Sequence, residues 1–414
     1  MSNPSLLCVP YRFKTSKLYS QIPDSGLGDF VVTRSASNSA TRVNSRGLIE
    51  TVLDNVPRLD YPLGGITAGC PALLVEPSAQ NLVLQSENFG TTWSLSALLP
   101  FGSGSVLNTT ATLDPYGTNV ADLIVANTTV TQHRVDQTTT SVSGSYVFSV
   151  FLKAEGYGFA RLRIGGQGAT FNLSTGVVIA TDAVITSSIQ SFGNGWYRCI
   201  IGKAVSTANE IIRINMQPTA STADFAGDGT SGIYVFGAQY ETGSAATSYI
   251  PTTTAAITRG AEVVDRTGIS SLMGQTGGTF YLDMSYFAKG ASGTTLWLYI
   301  VGTPTSNNIG LAVVGTSVRS IVNGQSDILS TPSTANGVKI AWGYDGSGVV
   351  CFVNGVQYNL PNGGNQIITS MNRCIIDMSS AGGTRMADVR IRAVELHPTR
   401  LPNTGPNSLQ SLTQ

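Results

Sequence analysis

An all-β chain, built as two antiparallel β-sandwiches behind an extended N-terminal arm, is what this sequence predicts, and three observations predict it. Runs of four to eight residues rich in Val, Ile, Phe, Tyr and Thr recur along the chain, as in Tyr146–Leu152, Ile211–Met216, Gly232–Phe236 and Thr279–Ser285. Gly, Asn, Asp and Pro clusters separate these runs, and pairs such as Asn194-Gly195, Asp345-Gly346 and Asn354-Gly355 are tight-turn signals. Helical periodicity is nearly absent. Many short strands with such turns mean sandwiches or barrels rather than a single open sheet.

In chain order, residues 1–81 carry weak strand signals and recurrent prolines, at Pro4, Pro10, Pro23, Pro57, Pro62, Pro71 and Pro77. The expectation for them is an extended arm that orders itself on a partner or on sister chains. Residues 82–250 hold enough strand runs for a complete sandwich of the jelly-roll type. The Thr/Ala stretch 251–257 reads as an inter-domain linker. A second sandwich, concanavalin-like, is expected over 258–400, and 401–414 reads as a polar tail or a short terminal helix.

Composition narrows the function. Only 12% of the 414 residues are charged, against roughly 25% in an average soluble domain, while glycine reaches 46. The 24 basic and 24 acidic side chains balance, so no net field steers nucleic acid or an anionic membrane, and neither partner is expected. The five cysteines, Cys8, Cys70, Cys199, Cys351 and Cys374, are dispersed without a C-x-x-C pair, which favours buried thiols over a disulfide framework or a zinc site. Met1–Pro10 lacks the basic and apolar segments of a secretory signal, and no run has membrane-spanning length.

The block Ala40–Glu50, then Pro57–Tyr61, Leu73–Pro77 and Asn81-Leu82, resembles one near the start of many bacteriophage head-fibre and tail-fibre proteins. In that family it precedes a jelly roll resembling carbohydrate-binding modules. Ser86–Trp93, Asn194–Arg198, Phe236–Gly243 and Ser248–Pro251 are similar to that module's signature. Further on, Val338–Tyr344, Asp345-Gly346 and Val350–Gln357 are similar to concanavalin-like and laminin-G-like sandwiches. The resemblance implies a virion structural protein, a head fibre or capsid-decoration subunit. Such a protein is made in the host cytoplasm and displayed on the particle surface. It implies a homotrimer whose arm holds a phage capsid or tail protein and whose sandwiches touch host surface glycan. A tail fibre or receptor-binding protein is the first alternative, and a glycan depolymerase the second.

The residues offer little for catalysis, so a non-enzymatic chain is expected. The only two histidines, His133 and His397, are far apart, and no nucleophile elbow, zinc-protease helix or phosphate loop occurs. A glycosidase needs two facing carboxylates, and the concanavalin-like hydrolases carry alternating acids on one strand. Here Asp283 is a lone acid on its strand and Glu395 stands near the end of another, each reading as a solvent-facing residue or turn anchor. Sugar rings stack on exposed aromatic faces. Of Trp93, Trp196, Trp297 and Trp342, the adjacent pair Trp196 and Tyr197 is the glycan-binding candidate, because alternation sends one of them outward. For each of the four tryptophans the core is the favoured reading. The loop Asp224–Asp228 has oxygens for a structural calcium but reads more simply as an Asp/Gly turn. No metal site and no cofactor are expected.

Overall fold

The computed structural model describes residues 3–34, 40–206, 208–286, 294–302, 307–314, 317–329, 337–377 and 389–414. Its architecture is all-β, in antiparallel sheets stacked as two sandwiches.

The first sandwich is continuous in sequence. Its six-stranded sheet runs Ser94–Ser96, His133–Thr138, Ile211–Gln217, Phe159–Ile164, Gln167–Asn172 and Val177–Thr181. Its five-stranded sheet runs Asp122–Val125, Gly232–Thr242, Gly144–Glu155, Tyr197–Val205 and Ile185–Ser191. Alternation places one side of every strand in the core: in Phe159–Ile164 the inward set is Ala160, Leu162 and Ile164. Phe148, Val150 and Leu152 meet it from the facing sheet.

The second sandwich is discontinuous. One sheet is ordered Val356–Tyr358, Gly348–Val353, Val338–Asp345, Gly278–Tyr286, Val389–His397, Ala72–Val75 and Arg58–Asp60, and Leu6–Cys8 also pairs with Val389–His397. The facing sheet begins with Phe13–Lys14, Lys17–Leu18 and Phe30–Arg34. It continues with Glu262–Thr267, Met371–Asp377, Thr294–Gly302, Asn308–Val314, Ser317–Val322 and Gln325–Leu329. Two-residue turns close one hairpin in each sheet, at Asn354-Gly355 in the first and Asn323-Gly324 in the facing one. Both residues of each pair have positive φ, which Asn and Gly tolerate and the strand twist requires.

Residues 1–81 are therefore not an extended arm. Leu6, Cys8, Leu18, Phe30, Val32, Leu59, Leu73 and Val75 sit in the same core as Phe280, Ile340 and Trp342. Their strands are two to five residues long, and Leu6–Cys8, Phe30–Arg34 and Ala72–Val75 find partners more than two hundred residues away, so they give no local pattern of useful length. Residues 251–257 are likewise not a free linker. The Thr252 hydroxyl donates to the Val83 carbonyl at 2.6 Å, its N–H donates to Ser86 Oγ at 2.8 Å, and Ile257–Arg259 then pairs with Ala79–Asn81. The first sandwich is thus inserted into the second, entering and leaving through one two-stranded ladder. The C-terminal residues form a short helix, Leu409–Thr413, capped by Ser408, whose Leu409 packs with Tyr281, Ala341 and Phe352.

Candidate functional site

The two sandwiches meet at a buried ionic joint. Arg58, fully buried, donates from Nε and Nη2 to the two oxygens of Glu262, at 2.5 Å each. Its Nη1 donates to Glu76 at 2.7 Å, Ser248 Oγ at 2.8 Å and the Thr41 carbonyl at 3.0 Å. Arg34 joins Glu262 at 3.0 Å and Arg259 joins Glu76 at 3.2 Å. Burial alone would raise the Glu76 carboxyl, but Arg259 and Arg58, with the Ser248 donors, outweigh it and hold the group down at about 2. Asn81 finishes the joint by donating to the Ala238 and Ile250 carbonyls and accepting from the Val83 and Tyr240 amides. Arg58, Glu76, Asn81 and Ser248 all belong to the blocks that carry the phage-fibre resemblance, so those residues serve here as structure.

Beside this joint the two sandwiches diverge and leave a cleft of about 700 Å³. Its floor is the outer face of the five-stranded sheet. Register sets Gln190 beside Arg198 and Phe151, Ser188 beside Ile200 and Ser149, and Thr186 beside Gly202 and Val147. A side chain at Gly202 would come within 2.5 Å of the Thr186 hydroxyl, so glycine leaves this corner open. The far wall comes from the second sandwich, with Asp60, Ala72, Leu74, Ser285, Arg390 and Arg392. The 244–249 connector, the Tyr61–Leu63 turn, Cys70 and the hairpin residues Thr41, Arg42, Val43 and Ile49 complete the lining. Tyr61 and Phe192 are half-buried and bring aromatic surface to it.

The tryptophan candidate is corrected. Trp196 is 1% exposed, donates from Nε1 to the Leu113 carbonyl at 2.7 Å, and packs with Phe151, Tyr234, Phe236 and Tyr249. Its rings are closed to a sugar. Tyr197 is half-buried against the first core. Trp93 and Trp342 are core, Trp93 tilted against Phe89 and Trp342 stacked on Phe280. The Trp297 side chain lies outside the described residues.

The other candidates are dispersed. His133 is buried, its ring nitrogens against the Ala97 and Phe225 carbonyls. His397 is buried 3.3 Å from Glu395. Asp283 and Glu395 share a sheet face, opposite Ala393 and Tyr281, with Asp283 held by Arg392. Asp228 accepts from the Thr230 and Ser231 amides and the Ser231 hydroxyl, which is turn chemistry. Among the described residues no cluster of three or more His, Cys, Asp or Glu is placed to hold a metal ion, and no helix is long and apolar enough to cross a membrane. Four of the cysteines are buried free thiols and Cys70 is exposed.

What sequence reasoning missed is the cleft itself. The alternation of Thr186, Ser188 and Gln190 was a readable signal, but nothing local connects it to Tyr61, Arg390 or Arg392.

No family model matches the chain, and no curated protein matches it. Solved structures do match. One is the VIP36 exoplasmic/lumenal domain in its Ca2+/Man3GlcNAc-bound form, 11% identical over 37% of this chain and 81% of that one, with a TM-score of 0.22. A second is truncated AlyQ with CBM32 and alginate lyase domains, 9% identical over 78% and 99%, TM-score 0.25. A third is Trypanosoma rangeli sialidase, 9% identical over 90% and 76%, TM-score 0.28. The expectation of a non-enzymatic chain is corrected by these matches, because structures of glycan-cleaving enzymes stand among them. At such scores the likenesses assign no activity to this chain.

Proposed function

We propose that this protein is a surface subunit of a phage particle, a head fibre or capsid-decoration protein, that holds host-surface glycan in the cleft between its sandwiches. The observation that carries the reading is the cleft floor. Thr186, Ser188 and Gln190 project hydroxyl, hydroxyl and amide from alternate residues of one strand, about 7 Å apart, beside the aromatic surface of Tyr61 and Phe192. Hydroxyls and amides both donate and accept, as sugar hydroxyls do, and aromatic surface covers the apolar side of a sugar ring. A volume near 700 Å³ lies within the usual range for small-ligand clefts, and such clefts favour domain interfaces.

The particle context rests on the sequence resemblance. Homotrimeric assembly and anchorage to a capsid or tail protein are part of the proposal, with a folded anchoring surface, since the strands Leu6–Cys8, Phe13–Lys14, Lys17–Leu18, Phe30–Arg34, Arg58–Asp60 and Ala72–Val75 are built into the second sandwich.

Calorimetry of the full-length chain against host surface polysaccharide tests the reading. A dissociation constant near millimolar for one site, about 4 kcal/mol, is expected, with useful strength coming from many copies. Ser188→Trp, which fills the cleft from an edge strand, is expected to abolish binding at an unchanged melting temperature. Full binding by that variant would remove the cleft from the proposal.

A further inference from the structure

Charge in this chain is sparse and balanced, yet the cleft is neither. Its lining holds four arginines, Arg42, Arg198, Arg390 and Arg392, no lysine, and one acid, Asp60. The imbalance is sharpened by how the ion pairs are turned. On the far wall Arg390 pairs with Asp60 at 2.9 Å, and the arginine side chain is 32% exposed while that of the aspartate is 3% exposed. Arg392 pairs with Asp283, and its side chain is 39% exposed against 15% for its partner, which lies outside the lining. In both pairs the arginine is the more exposed member.

The floor repeats the arrangement. Arg198, 6% exposed, donates to Ser149 Oγ from Nε and Nη2, at 3.3 and 2.9 Å, and lies over the Phe151 ring at 5.4 Å. It is a fixed positive charge under the cleft. The acid two strands away, Glu241, is buried behind the connector, where it accepts from the Thr247 amide and hydroxyl. Arg42 lines the cleft and its partner Glu50 does not, although in this pair the acid is the more exposed member, 36% against 16%. A ligand in the cleft therefore faces four arginines and one acid, with the other balancing carboxylates outside the lining. Low-dielectric walls concentrate such a field within a cleft.

Resting on the reading of the cleft as a glycan site, we infer that the glycan it takes is acidic, a saccharide bearing carboxylate or sulfate groups, with Arg392 and Arg390 as its anchors. The guanidinium fork is planar and matches an oxyanion with two parallel N–H donors, which a lysine ammonium does not. The strand hydroxyls and Gln190 then hold the neutral part of each ring.

The test compares three tetrasaccharides on the full-length chain by calorimetry: oligogalacturonate, a chondroitin-type sulfated one, and maltotetraose. At least one acidic oligosaccharide is expected to bind tenfold or more tighter than maltotetraose in 50 mM salt. That advantage should shrink severalfold in 500 mM salt, because exposed charges are screened. Arg392→Gln should erase most of the preference and Arg392→Lys should restore only part of it. Since Arg392→Gln strands Asp283, the paired variant Asp283→Asn with Arg392→Gln is measured beside it, and loss of preference at an unchanged melting temperature is expected there too. Equal binding of all three sugars would overturn the acidic-ligand inference and leave the glycan reading standing. Binding of none would overturn both. If carboxylated and sulfated probes differ, the tighter one names the anion.

Discussion

The first sandwich is cut from one continuous stretch of chain, whereas the second is assembled from two stretches that flank it, and the two are held by different forces. Within 82–250 the strands are long, up to twelve residues, and every partner in the two sheets lies within the same stretch, so the core closes on itself. Across 1–81 and 257–400 the N-terminal strands are short, and their worth comes from distant partners and from the ionic joint at Arg58. A continuous domain advertises itself in local pattern, and a discontinuous one hides the half that lacks it.

That contrast is broken most forcefully by cutting the chain. A fragment of residues 79–259 keeps both strands of the entry ladder and the whole first core, and a single cooperative melt is expected from it. A fragment of residues 260–414 lacks the strands Leu6–Cys8, Phe30–Arg34 and Ala72–Val75 and should show no cooperative transition. Joining 1–78 to 260–414 through a tight turn should restore one, because Ala79 and Arg259 are register partners, about 5 Å apart. Calorimetry of the three proteins decides it. A cooperative melt from 260–414 alone would mean that the N-terminal strands only decorate a complete sandwich.

How much was legible follows the same line. The turn at Asn354-Gly355 and the strand Gly144–Glu155 could be read directly, since their signals lie within a dozen residues. Phe30–Arg34 does alternate, with Phe30, Val32 and Arg34 buried and Val31 exposed, but five residues among prolines did not outweigh the proline count. Which of Trp196 and Tyr197 is core could not be read, because alternation shows that neighbours diverge without showing which side the loop near Leu113 will cover. The joint and the cleft were invisible for a plainer reason. Arg58 and Glu262 are 204 residues apart, and Arg390 and Asp60 are 330 apart.

The joint should matter more than any ion pair of the first sandwich. Arg58→Met removes one buried guanidinium and leaves Glu76 and Glu262 short of their partner, which is expected to cost about 3–5 kcal/mol. Its counterpart in the first sandwich, Arg161→Met, breaks a partly exposed pair with Asp182 and should cost at most about 1 kcal/mol. Denaturant melts of both variants give the comparison. Equal costs would show that the joint is an accessory to hydrophobic packing.

A pH-dependent effect separates the sandwiches by sign. In the first, burial raises Asp122 to about 6, although the Phe89 and Asn108 amides donate to it, and burial raises Glu87 and Glu241 as well. Between pH 4 and 6 the unfolded chain has already lost the Asp122 proton and the folded chain still binds it. Stability of the first sandwich therefore falls as pH rises through that window, by an amount on the order of 3 kcal/mol for this group. In the second, Glu76 is held down at about 2, so the unfolded chain binds the proton first as pH falls below about 4.5. Its contribution is complete above that value and is lost as pH drops toward 2. Acidifying from pH 7 to 4.5 should thus raise the first transition, and acidifying from 4.5 to 2.5 should lower the second. Scanning calorimetry across this range reads both, and Asp122→Asn should flatten the upper slope of the first transition alone. If the two transitions moved together at every pH, the joint would couple the sandwiches into one cooperative unit, and the division between an autonomous insert and a dependent host would have to be given up.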